Sequence, residues 1–205
     1  MRKILTSLVM IVMVAAVATG ATLAQFADTE TSTGNTFGAG TLDLTADGNN
    51  GTNTVKFTVA NMKPGSQPKG TYTLRNIGTI NGYLDLESIS VSNNENACIE
   101  PETEAGDSTC DNPGASQGEL QNVVNMRLVV DRDCDGWIGG GDTTFYNGMT
   151  GSVAGNYELD EPINAGGQTC VTAIFDWWNT PSDNLAMGDD MTLNMTFELG
   201  QSAAQ

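Results

Sequence analysis

The sequence predicts an all-β fold, an antiparallel sandwich of the jelly-roll kind, on three observations. Six runs alternate apolar with polar residues: "TVKFTVANM" (Thr54 to Met62), "GTYTLRNIG" (Gly70 to Gly78), "YLDLESISV" (Tyr83 to Val91), "VVNMRLVVD" (Val123 to Asp131), "TCVTAIFDW" (Thr169 to Trp177) and "MTLNMTFEL" (Met191 to Leu199). Period-two alternation gives a strand one buried face and one wet face. Turn formers such as "KPGSQPKG", "NIGTING", "GGGD" and "NAGG" separate the runs. Long helical periodicity is missing, so roughly seven to nine short strands fold back on one another.

The chain opens with Arg2 and Lys3, continues through an apolar run from Leu8 to Val17, and reaches small residues at Thr22 and Ala24. That order is a secretory signal peptide, residues 1–24, cut by a signal peptidase between Ala24 and Gln25. The apolar core of about ten residues is short of the ~20 that a spanning helix needs, so no stable membrane insertion is expected after processing. Removal of residues 1–24 leaves 181, enough for one domain with its own core. It also removes Arg2 and Lys3, moving the formal charge from -17 to -19. A surface that acidic repels nucleic acid and anionic lipid, and nucleic acid is not expected as a partner.

The exported part reads as a strand-prone polar segment with hinge glycines, residues 25–38, followed by a sandwich domain, residues 39–205. Within the domain, Asn93 to Gly118 is too long and polar for a hairpin and reads as an insertion at the end of the sandwich. Four cysteines outside the cell imply disulfides, and four permit three pairings. Cys98 with Cys110 and Cys134 with Cys170 is the favoured set, although spacing alone leaves the pairing open.

"DRDCDGWIGGGD" sets Asp131, Asp133 and Asp135 at positions 1, 3 and 5 of a twelve-residue stretch, with Gly136 at 6 and Asp142 at 12. Alternate carboxylates can turn inward there, Gly136 permits the sharp bend, and the carbonyl of Trp137 can join them, which is the ligand spacing of a calcium loop. Hard oxygen donors favour calcium over zinc or copper. Position 12 is Asp where a helix-flanked calcium loop carries Glu, and the preceding run is a strand. A role in ordering a hairpin tip is therefore expected, and not catalysis.

The absence of histidine excludes Ser-His-Asp, Cys-His and HExxH chemistry. "DWW" at Asp176 to Trp178 offers aromatics for sugar stacking, but both lie at a strand end where one must face the core. No enzyme activity is expected.

"GATLA" followed by "QFADTETSTGNTFGAGTLDL" resembles the start of the TasA and camelysin family, on Phe26, Asp28, Asn35, Thr36, Phe37, Ala39, Gly40, Thr41, Leu42, Asp43 and Leu44. "NMKPGS" and "YTLRNIGTINGYLDLESI" are also similar to that family. The resemblance implies a jelly-roll subunit processed by a SipW-type peptidase. Such a subunit polymerises into the fibres of a biofilm matrix or into bundling pili, homopolymers in which each mature N-terminus adds a strand to the next copy. Gln25, Phe26, Ala27, Asp28, Thr29, Glu30 and Thr31 would form that donor strand, with Phe26 as its anchor. A free extended segment suits an unpaired sheet edge, and a head-to-tail contact propagates without closing. The alternative expectation is a monomeric secreted module that binds calcium or carbohydrate.

Overall fold

The computed structural model describes residues 38–51 and 62–203. Two compact units divide the chain, Met1–Gly38 and Ala39–Gln205, and all the described residues but Gly38 lie in the second. The signal peptide, the donor-strand residues 25–31 and nearly all of the Thr54–Met62 run lie outside the described residues.

The described part is an antiparallel two-sheet sandwich. Its strands are β1 (Leu44–Ala46), β2 (Asn49–Asn50), β3 (Lys69–Asn76), β4 (Gly82–Asn94), β5 (Val124–Asp131), β6 (Thr143–Met149), β7 (Gly155–Ile163), β8 (Gln168–Trp177) and β9 (Asp190–Gly200). One sheet has six strands in the order β2-β1-β3-β8-β5-β6, and the other has three, β7-β4-β9. Five of the six predicted runs therefore fall on described strands. β1, β2, β6 and β7 were hidden among polar sequence.

Alternation explains β9 directly. From Asp190 to Leu199 exposed residues trade places with half-buried Met191, Leu193, Met195, Phe197 and Leu199, which pack on the core. β4 shows the same rule with a phase change. Leu84 and Leu86 face inward on even positions, then Glu87 and Ser88 are both exposed and Ile89 is buried. The β4–β9 register shifts between Leu86 and Ser88, so one extra residue returns the apolar set to the core.

β8 departs from the expected one-sided burial: every residue from Thr169 to Trp177 is buried. It lies between β3 and β5, and its polar members find partners. Thr172 Oγ1 bonds the hydroxyl of Thr71 at 2.8 Å and the carboxylate of Asp131 at 2.8 Å. Asp176 takes Nε and Nη2 of Arg127 at 3.2 and 3.0 Å. The two tryptophans separate as expected, Trp177 3% exposed and Trp178 59%. Trp177 donates Nε1–H to Asp183 at 2.8 Å, so its polar edge is satisfied inside the core.

The main core joins Leu86, Val124, Met126, Leu128, Phe175 and Trp177 from both sheets. A smaller one joins Leu74, Leu84, Ile163 and Val171. At one end Arg132, just past β5, reaches Glu161 on β7 and ties the sheets together.

Two short helices interrupt the strands, where none was expected. α1 (Glu100–Ala105) lies in the insertion and α2 (Leu120–Val123) precedes β5. Glu102 closes the first turn of α1 by accepting the Ile99 N–H, and Gly106 ends the helix at φ 79°. Disulfides join Cys98 to Cys110 and Cys134 to Cys170. Among the described residues no helix is long and apolar enough to cross a membrane.

Candidate functional site

The Asp-rich loop forms the tip between β5 and β6. Asp131, the last residue of β5, is 0% exposed. Its Oδ2 accepts the Gly136 N–H at 2.9 Å and the Thr172 hydroxyl at 2.8 Å. Its Oδ1 is buried without a donor. Gly136 sits at φ +75°, the left-handed bend that turns the chain back over Asp131. Cys134 adopts φ 59° in the same turn, held by its bond to Cys170 on β8.

Asp131, Asp133 and Asp142 each bring a carboxylate oxygen within 4.8 Å of the others. Asp142 is oriented by the Arg132 N–H at 3.1 Å and the Gly139 N–H at 2.7 Å. The backbone bond from Asp135 pulls the Asp133 carboxyl down. Desolvation and the neighbouring carboxylates of Asp131, Asp135 and Asp142 outweigh that bond and hold the carboxyl above its ordinary value.

Of the four expected carboxylates, Asp135 stands outside that group. Asp135 turns its Oδ1 to the Trp137 N–H at 2.7 Å, the local turn bond for which Asp is suited. The Trp137 ring is 65% exposed, with Lys69 Nζ 3.3 Å from its centroid. Lys69 also donates to the Gly136 carbonyl at 2.7 Å. The loop thus gathers three of the four carboxylates that the spacing suggested.

The other described feature bearing on function is the sheet edge. The three-stranded sheet faces one of six strands, and among the described residues β9 pairs only with β4. Its outer backbone edge runs beside the half-buried row from Met191 to Leu199. The expected donor strand lies outside the described residues, and the sequence analysis named no acceptor for it. The signal was present in the alternation of β9, but only topology reveals which strand ends a sheet.

The fold and these sites define an acidic β-sandwich, stapled by disulfides, with clustered oxygen donors and a long sheet edge. The chain belongs to the camelysin metallo-endopeptidase family, whose family model matches residues 1–133. No curated protein matches it. The family description implies a metal suited to peptide hydrolysis, and the donors here do not fit a nitrogen- or thiolate-ligated centre. The sequence has no histidine and all four cysteines are consumed in disulfides. What remains are carboxylate groups, donors for hard cations.

Proposed function

We propose that the mature chain is a structural subunit of an extracellular filament, of the biofilm-matrix or bundling-pilus type, and that it polymerises head to tail by strand donation. Residues 25–31 of one copy would lie along β9 of the next, with Phe26 entering the apolar row. The observation that carries this reading is the edge of β9, eleven residues long with a regular half-buried apolar face. An edge of this kind recruits another strand unless something covers it, and added strands draw affinity from the backbone and specificity from alternate side chains. Membership of the camelysin family and the resemblance of Phe26 to Leu44 to TasA-type sequences support the same reading. The run Thr54 to Met62, whose sequence also alternates, is the competing occupant from within the chain.

Negative-stain electron microscopy of protein beginning at Gln25, at rising concentration, tests the proposal. Uniform thin filaments are the expected result, and dispersed particles at every concentration would refute it.

A second reading, a calcium-binding surface module, is favoured by one observation: Asp131 Oδ1 is buried, lacks a donor and belongs to the group with Asp133 and Asp142. Calcium there would neutralise the tip and fix the β5–β6 hairpin. Asp133→Ala is expected to remove one bound calcium equivalent in a calorimetric titration, whereas Asp135→Ala retains it. Equal stoichiometry in both variants would exclude the loop as a site. The two readings are compatible, since a filament subunit can carry a structural ion.

A further inference from the structure

The insertion between β4 and β5, polar in sequence, buries charge. Where β4 and β9 end side by side, Asn94 opposite Asp190, five acidic side chains converge. Glu95 follows β4, Glu102 lies on α1, and Asp107 lies just beyond α1. Glu119 immediately precedes α2, and Asp189 immediately precedes β9. Glu95 is 1% exposed and Glu102 0%.

Donors hold one oxygen of three of these groups and leave the other free. Glu102 Oε2 accepts the Ile99 N–H at 2.7 Å. Asp107 Oδ1 accepts the N–H and hydroxyl of Thr109 at 2.8 and 2.7 Å. Asp189 Oδ2 accepts the N–H groups of Glu119 and Leu120. The remaining oxygens, Glu102 Oε1, Asp107 Oδ2 and Asp189 Oδ1, are buried without a donor, as are Glu119 Oε2 and both oxygens of Glu95. Glu95, Asp107 and Glu119 each place an oxygen within 4.8 Å of the others. Among the described residues, the ion pairs involve Asp176 and Glu161, and none of these five.

Buried carboxylates without partners are costly, and several together more so. Protonation or a bound cation can relieve that cost. The group of Glu95, Asp107 and Glu119, with the further unpartnered oxygens of Glu102 and Asp189 beside it, offers the hard donors of which calcium takes six to eight. The anchored oxygens resemble the outer hydrogen bonds that orient metal-bound carboxylates. Cys98 Sγ lies near Glu95 and Glu102, but it is bonded to Cys110, which leaves an all-oxygen set.

The surrounding backbone is fitted closely. A Cβ at Gly118 would sit 2.9 Å from the Asn94 carbonyl oxygen and 3.1 Å from Asp189 Cγ. A Cβ at Gly188, φ +99°, would sit 3.6 Å from both Glu102 oxygens. The Cys98–Cys110 loop carries Glu102 and Asp107 within it.

We propose that Glu95, Glu102, Asp107, Glu119 and Asp189 form a calcium site, separate from the hairpin tip, that fastens the insertion to the end of the sandwich. Glu95 has both oxygens free to chelate, and each of the other four supplies one. The site does not depend on filament assembly.

The test is calorimetric titration and thermal unfolding of the mature protein after treatment with a chelator, with calcium and, separately, magnesium. The double variant E95Q/D189N keeps side-chain size while removing two charges. It is expected to lose one calcium equivalent that D133A retains. The parent protein is expected to gain roughly 5–10 °C in Tm at calcium about 100-fold above Kd, and the double variant to lose most of this gain. Removing charge should also raise the calcium-free Tm of the double variant, which separates loss of a site from loss of the fold. Unchanged calcium stoichiometry in the double variant would overturn the site. A parent protein whose Tm does not respond to calcium would overturn it equally. A magnesium response equal to that of calcium would overturn the assignment of the ion.

Discussion

Deletion of Gln25 to Thr33 is expected to give a folded protein that forms no filaments at any concentration, seen by electron microscopy and confirmed as a monomer by size exclusion. The sandwich keeps its core without these residues, because Leu86, Met126, Leu128, Phe175 and Trp177 all come from the described body. Its thermal unfolding should therefore hardly change. Assembly depends instead on a strand's worth of backbone hydrogen bonds and on the anchor. Phe26→Ala alone should raise the concentration needed for assembly by roughly 10- to 100-fold, as removal of a central aromatic anchor does at other interfaces. Filaments of normal length from the deletion variant would transfer the donor role to another segment, with the run Thr54 to Met62 the first to examine.

In calcium-free solution, stability is expected to fall as pH rises from about 4.5 to about 7, against the trend of ordinary carboxylate-rich proteins. Glu95 and Glu119 have an ordinary value of 4.5 and are pushed up to about 7, and Glu102 is also raised. Burial is the main cause for all three. The neighbouring acids Asp107 and Asp189 add to it, and only the Ile99 N–H on Glu102 opposes it. A folded state with raised carboxyl pKa values binds protons more tightly than the unfolded chain. The protonated cluster contributes fully below 4.5, and that contribution is lost as pH climbs through about 7. Asp183 acts oppositely: burial raises it, but donors from Trp177 and Thr180 prevail and lower it below 3.8. Its contribution is lost only in stronger acid, outside this window. Urea unfolding with a chelator at pH 5 and pH 8 measures the difference. Greater stability at pH 8 would contradict the burial of these acids. Added calcium should lift the pH 8 value most.

The strands were legible wherever one face is wet, as in β9, where every second residue from Met191 to Leu199 points inward. Even the phase change in β4 is written in its sequence, since Leu84 and Leu86 are followed by Ile89 and Val91. β8 was less legible. Its threonines and Asp176 look solvent-facing, and only the flanking strands provide the hydroxyls and the guanidinium that let them be buried. Spacing marked four carboxylates of the hairpin tip; Asp131, Asp133 and Asp142 stand together, while Asp135 accepts a local turn bond from the Trp137 N–H. The larger cluster was missed because its members are irregularly spaced, from Glu95 to Asp189, and meet only through topology. One signal was available: from Asn76 to Met126 the sequence has no Lys or Arg, although Glu95 to Glu119 contains seven acidic residues. Such an unbalanced stretch needs a counter-charge that no lysine or arginine within it supplies.

The Cys134–Cys170 bond governs what a proteolytic cut can do to the fold. It closes a ring between cysteines 36 positions apart that holds all of β6 and β7. A single proteolytic cut in the turns between residues 135 and 169 would leave both pieces on one covalent body, still paired across β5 and β8. Damage of this kind would show on a gel only after reduction, and in the proposed filament a nicked subunit would hold its place.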